Sequence, residues 1–199
     1  MKTIQRYSMY IIIMEKEKDK SRFKKREFRI ESVYSRCLIS RVITLPITAV
    51  GNDLNKTLTK TIMTTYEGRC VVEGYIKPDS CTLITYSSGM NKGSNILFDV
   101  IFECDVCFPV ENMLIECVAK NITKAGIRAE SSKEIPSPIV VFIAKDHHYN
   151  VSEFSDIKEG DVFTTRVIGQ RFELNDKYIS IIGELVKSRK PHTFTAKNR

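Results

Sequence analysis

The sequence predicts a mostly β protein of the α+β class: a sheet carrying one helix, followed by a closed barrel of five short strands. Three observations carry that expectation. A single amphipathic helix signal, Leu54 to Met63, lies among strand signals. After Pro109 the strand signals recur at short intervals, separated by polar turns. The segment Ile157 to Val186 then reads as a turn, a strand, a polar hairpin and a returning strand. Strands before and after one helix favour an antiparallel sheet with that helix on a face. Five closely spaced strands favour a small Greek-key barrel.

Residues 1–34 read as an appended basic arm. Glu15 to Arg29 clusters charges without a clean apolar stripe, which suits a charged helix or a disordered segment. The longest apolar run near the start, Met9 to Met14, is far shorter than the roughly 20 residues that span a bilayer. Charged residues follow it, so neither a membrane span nor a secretory signal is expected.

Cys37 to Leu45 reads as a strand ended by Pro46, which cannot donate to a ladder. Gly51-Asn52-Asp53 opens the helix, with Asn52 or Asp53 as its cap. Leu54, Leu58, Ile62 and Met63 share one helical face. Gly68, after Tyr66-Glu67, suits a left-handed helix end. Three strands are expected next: Cys70 to Ile76, Cys81 to Tyr86, and a long one from Asn95 to Phe108. Lys77-Pro78-Asp79-Ser80 makes the first turn, and Ser87 to Ser94 forms a loop.

Pro109-Val110-Glu111-Asn112 marks a candidate junction. Barrel strands are expected at Met113–Ala119, Gly126–Ala129 and Ile139–Ala144, with a polar loop from Ser131 to Pro138. Asp146 to Phe154 reads as an irregular or short helical link. Val162–Gly169 and Tyr178–Leu185 close the barrel through Leu174-Asn175-Asp176-Lys177. This pattern is that of an OB barrel, a binding module, which turns the functional reading away from enzymes.

The chain has 199 residues and a formal net charge of +7. Its distribution matters more than its total. Residues 1–30 carry +6 and residues 187–199 carry +5, leaving −4 on residues 31–186. Basic tails attract a phosphate backbone without reading sequence; the plainer reading is a pair of solvated ends. Six cysteines lie mostly within apolar runs. They are expected as reduced, buried thiols of a cytosolic or nuclear protein. Cys104 and Cys107 form a lone C-x-x-C with no second pair. A structural zinc site normally needs four ligands. On a strand these two thiols point to opposite faces, so two strand cysteines are the expectation. His147, His148 and His192 are the histidines, and no catalytic set or phosphate-cradling loop stands out. No cofactor or metal is expected.

Leu114 to Arg128, LIECVAKNITKAGIR, with Ile139 to Ala144 and Ile157 to Val186, resembles an OB fold of the ribosomal-protein S-one type. The whole order is similar to the stalk subunit of archaeal and eukaryotic RNA polymerases, the polymerase II seventh-subunit or archaeal E-prime family. Tyr66-Glu67-Gly68-Arg69-Cys70, the long strand NILFDVIFECDVCFP, Val167-Ile168-Gly169 and Ile182-Gly183 carry that resemblance, over residues 37–186. The leading arm and the polar loop after Glu130 depart from the family pattern. They mark a divergent member, for which a large DNA virus is one source.

The resemblance implies a truncated RNP-like docking domain at 35–108 and an OB-fold RNA-binding domain at 109–186, with a basic tail at 187–199. It implies a non-catalytic stalk subunit of a DNA-directed RNA polymerase that docks on the core enzyme and contacts nascent RNA or initiation factors. Its partners would be core polymerase subunits, a helical stalk subunit and nascent single-stranded RNA, with no membrane. Its location would be the nucleus or cytoplasm, or a cytoplasmic viral factory or virion for a viral member. The competing readings are a free-standing single-stranded RNA-binding protein of translation or RNA decay, and a protein-binding scaffold.

OB barrels hold single strands by stacking bases on aromatics and tracking phosphates with cations. The RNA-binding candidates are therefore Lys120, Lys124, Arg128, Lys145, His147, His148, Tyr149, Arg166, Arg171 and Tyr178, with Phe172 as a further ring. Phe142 and Phe163 are expected in the barrel core. The polymerase-docking candidates are the loop residues Gly51, Asn52, Ser88, Gly89, Asn91 and Lys92.

Overall fold

The computed structural model describes residues 32–51, 53–148 and 152–186. It contains an antiparallel sheet followed by a closed five-stranded barrel. The N-terminal and C-terminal basic segments, Asn52 and Tyr149 lie outside the described residues.

Strand β1 runs Tyr34–Pro46 and pairs along its whole length with β6, Asn95–Cys107. It is longer than the expected Cys37–Leu45 at both ends, and Pro46 is its last residue. The alternation of β1 decides its faces. Ile39, Ile43 and Leu45 are buried, whereas Leu38 and Val42 point to solvent. On β6 the even residues Phe98, Val100, Phe102, Cys104 and Val106 are buried on the same side.

Helix α1, Leu54–Tyr66, covers that side. Leu58 and Ile62 are fully buried, and Tyr66 stacks on Phe102 with ring centroids 5.6 Å apart. Asp53 is the N-cap residue, but its side chain reaches Lys56 Nζ at 3.1 Å rather than a backbone N–H. Gly68 takes φ +71° after the helix, and its N–H donates to Ile76 O at 3.0 Å.

The expected strand Cys70–Ile76 is two strands. β2 (Cys70–Val71) and β3 (Gly74–Ile76) pair as a hairpin. The turn is at Val72-Glu73, and Gly74, which opens β3, has φ +130° and no room for a Cβ against Cys107 O, so glycine is required there. β4 (Thr82–Tyr86) pairs with the middle of β6. The expected loop 87–94 contains a further strand, β5 (Met90–Lys92), which folds against the start of β6.

The barrel consists of β7 (Leu114–Ile122), β8 (Gly126–Ser131), β9 (Ile139–Ala144), β10 (Val162–Arg171) and β11 (Ile179–Leu185). Its closed order is β10-β11-β9-β8-β7, with β9 and β11 parallel. A 3₁₀ turn at Lys145–His147 and helix α2, Ser152–Asp156, link β9 to β10. Ile115, Cys117, Ile127, Ile139, Val141, Ile143, Phe163, Ile179 and Ile181 fill its interior.

The sheet and barrel share a core. Val33, Cys70, Tyr75 and Cys107 pack into the barrel's apolar cluster. The β10–β11 loop is joined to β2 by two backbone bonds: Cys70 N–H to Asp176 O at 2.8 Å and Asn175 N–H to Cys70 O at 2.9 Å. Phe172, expected as a free stacking ring, instead meets Phe108 edge-to-face at 6.2 Å. The joint leaves it half-buried.

Cys104 lies in the helix-side core and Cys107 in the shared core, as the odd strand spacing requires. Burial pushes the Cys107 and Cys117 thiols up to about 12 and the Cys70 thiol up to about 11. Among the described residues no three His, Cys, Asp or Glu side chains form a metal-binding group. None of the described helices is long and apolar enough to cross a membrane.

Candidate nucleic-acid interface

The outward side of β8, β9 and β11 gathers aromatic, apolar and cationic groups. Phe142 stands opposite Arg128 across the β8–β9 ladder and beside Ile182 across the β9–β11 ladder. It is 40% exposed, so its expected place in the barrel core is corrected. The physical reason lies in alternation. Val141 and Ile143 point inward and are fully buried, which turns Phe142 outward. Phe163, in contrast, is buried in the core as expected.

Val140, Phe142, Gln170, Arg171, Ser180 and Ile182 line a groove of about 360 Å³ together with Gly169. Gln170 contributes to the lining, but it pairs with the buried Ile181, and its Oε1 is buried without a hydrogen-bond partner among the described atoms. A buried acceptor left unpaired costs free energy. Ile168, at the bulge where the β10–β11 register shifts, is also exposed on β10.

The expected cations divide into two groups. Lys124 and Lys145 meet at one barrel end, because Gly126 pairs with Ala144 and Lys145 N–H donates to Ala125 O at 3.0 Å. Arg128 lies on β8 close by, and exposed His147 follows Lys145. Lys120 sits at the irregularity between Ala119 and Asn121 in the β7–β8 ladder. Arg171 and exposed Tyr178 lie at the opposite end, near the joint with the sheet. Arg166 is on β10, opposite Glu184.

Three of these arginines already have acidic neighbours. Arg128 pairs with Glu130 at 3.3 Å, Arg166 with Glu184 at 3.5 Å and Arg171 with Glu173 at 3.1 Å. Exposed pairs of this kind contribute about 0–1 kcal/mol, so a phosphate can compete for the guanidinium. Lys120, Lys124 and Lys145 form no ion pair among the described residues.

His148 does not belong to this surface. It is 4% exposed and stacks on Phe154 at 5.5 Å. Its Nδ1 lies 2.8 Å from Ala144 O, and its Nε2 accepts Leu185 N–H at 3.0 Å. Both ring nitrogens are thus occupied in joining β9 to β11. Sequence adjacency to Asp146 and His147 gave no sign of that burial.

The docking candidates come together elsewhere. Gly51, Ser88, Gly89, Asn91 and Lys92 are all exposed. The β5–β6 hairpin sits beside the end of β1, where Ile47 N–H donates to Ser94 O at 3.0 Å. These loops lie at the Asn95 end of β6, whereas the barrel joins at Cys107. The strand between them spans about 40 Å at strand rise.

No protein-family model matches the chain. A protein of Acanthamoeba polyphaga mimivirus described as "Putative DNA-directed RNA polymerase subunit" is 27% identical to it over 120 residues. The match covers 52% of this chain and 58% of that protein, so the chain spans little more than half of that relative's length.

Proposed function

We propose that this protein is a non-catalytic stalk subunit of a DNA-directed RNA polymerase. The observation that carries the reading is the placement of two different surfaces at opposite ends of β6. Exposed loops around Gly51 and Ser88 to Lys92 occupy one end. A closed barrel with an aromatic and cationic outer face occupies the other. Residues 35–108 serve as the docking domain and residues 109–186 as the RNA-contacting domain. The similarity to a mimiviral protein described as a polymerase subunit supports the same direction.

The mechanism follows from the geometry. The docking loops hold the subunit on the core enzyme, beside a helical stalk partner. The barrel joint is braced by backbone hydrogen bonds and the Phe108–Phe172 contact. It therefore presents its outer face in a fixed direction. Bases of emerging RNA stack on Phe142 and Tyr178, while Lys120, Lys124, Arg128, Lys145, His147, Arg166 and Arg171 meet phosphates. Residues 31–186 carry −4, so this contact is weak and salt-sensitive.

Affinity purification of the tagged full chain from its native host cells tests the assignment. Recovery of the largest polymerase subunits is the expected result. Their absence, with RNA binding retained, would favour the free-standing RNA-binding protein.

A further inference from the structure

Three of the six cysteines stand in one row across the helix side of the sheet. Cys37 on β1 and Cys104 on β6 are directly opposed in the antiparallel ladder. On the other edge of β6, Thr82 of β4 pairs with Glu103. Cys81, one residue earlier, therefore comes level with Cys104 from that side. Cys81 and Cys104 are buried in the core beneath α1, and Cys37 packs against it, partly exposed among the described residues. All three are free thiols.

Spacing decides which thiols can join. Directly opposed residues of an antiparallel pair have Cα atoms about 4.5–5.5 Å apart. A disulfide accepts roughly 4.4–6.8 Å. Cys37 and Cys104 meet that requirement without backbone movement. Cys70 and Cys107 do not. Tyr75 of β3 pairs with both of them, so they stand two strand spacings apart, about 9–10 Å. Cys117 lies inside the barrel.

We propose that Cys37 and Cys104 form a reversible disulfide, with hydrogen peroxide as the oxidant, that locks β1 to β6. Cys81 prepares the step. Its thiol hydrogen-bonds to Cys104 and holds that thiol below its ordinary value, against the opposing effect of burial. The same bond, burial and the Glu67 carboxylate, which accepts Cys81 N–H at 2.8 Å, keep Cys81 itself protonated. Cys104 is thus the attacking sulfur. Burial raises the Cys37 thiol, so its reaction with peroxide quickens as pH rises.

Peroxide converts the Cys37 thiol to a sulfenic acid and leaves as water. The Cys104 sulfur then attacks the Cys37 sulfur. The S–O bond breaks, the hydroxyl leaves with the Cys104 proton as a second water, and the S–S bond forms. A dithiol reductant reverses the step by exchange. The loop closed between Cys37 and Cys104 contains α1 and strands β2 to β5. The lock therefore restricts the unfolded sheet and leaves the barrel alone. It does not depend on RNA binding by the barrel.

Peptide mapping of the peroxide-treated full chain, alkylated before and after reduction, tests this beside Cys37→Ser. The expected result is a loss of about 2 Da per chain, with a peptide joining Cys37 to Cys104. The urea midpoint should rise and fall back with a dithiol reductant. Cys70, Cys107 and Cys117 are expected to stay reduced. Cys37→Ser should keep the fold and abolish both the mass loss and the midpoint shift. No mass loss at peroxide doses that oxidise a free thiol peptide would overturn the proposal. A bond from Cys104 to Cys81, a cross-link only between chains, or an unchanged mass loss in Cys37→Ser would also overturn it.

Discussion

The sheet and the barrel are built from similar strands, but they dispose of their edges differently. The barrel closes on itself through the β7–β10 and β9–β11 pairings, and every strand has two neighbours. Among the described residues the sheet ends at β1 and carries its helix on one face. Closure frees the barrel's outer surface to hold a ligand without risk of edge pairing. What the barrel can offer a partner is therefore side chains rather than backbone edges.

The helix-side core of the sheet should be its most sensitive point. Phe102 is fully buried and stacks on Tyr66. Phe102→Ala is expected to lower stability by about 3–5 kcal/mol, measured by urea unfolding. If the loss is far smaller, helix α1 is not what holds the sheet's covered face.

Alkaline pH should affect both regions, since Cys107 lies in the shared core and Cys117 inside the barrel. Burial raises each thiol from 9.0 to about 12. The fold favours the protonated form, so the contribution is complete below pH 9 and declines as pH rises from 9 toward 12. Between pH 8 and pH 10 the loss is on the order of 1 kcal/mol per thiol. Unfolding titrations at the two pH values, repeated on Cys117→Ala, separate the barrel's share from that of the joint.

Closure itself can be tested at Gly183 on β11. A Cβ there would collide with Thr165 Cγ2 and press on Val141 Cγ1 at 3.0 Å. Gly183→Ala is expected to cost about 1–3 kcal/mol through overpacking. Retained helix signal with loss of β9–β11 amide protection would show that the barrel opens while the sheet persists.

Much of this architecture was legible in the sequence. Leu54, Leu58, Ile62 and Met63 announced the helix, and the β-branched and aromatic-rich run at Val162–Gly169 with the polar Leu174-Asn175-Asp176-Lys177 announced the closing hairpin. The illegible parts depended on contacts distant in sequence. Ile139 to Ala144 is apolar throughout, so its pattern could not say that Phe142 faces outward. Barrel closure decides that. Phe172 looked available because Phe108, 64 residues earlier in numbering, gave no local sign of packing against it. His148 was obscured by its polar neighbours, although it bonds Leu185 across the barrel. The close approach of Cys107 O to Gly74, where only glycine fits, is another long-range contact.

The smallest stability effect should come from Phe142, and it is the most informative about function. Its side chain is half-exposed, so Phe142→Ala should alter folding by no more than about 0.5 kcal/mol. The central claim is that the barrel's outer face, rather than the open sheet, contacts RNA. Fluorescence anisotropy of a labelled single-stranded RNA with the full chain tests it, comparing Phe142→Ala with Leu38→Ala at fixed salt. The account predicts that Phe142→Ala weakens binding by about ten-fold or more through lost stacking, while Leu38→Ala leaves it unchanged. Equal affinities for Phe142→Ala and the unaltered protein, or a loss confined to Leu38→Ala, would contradict it.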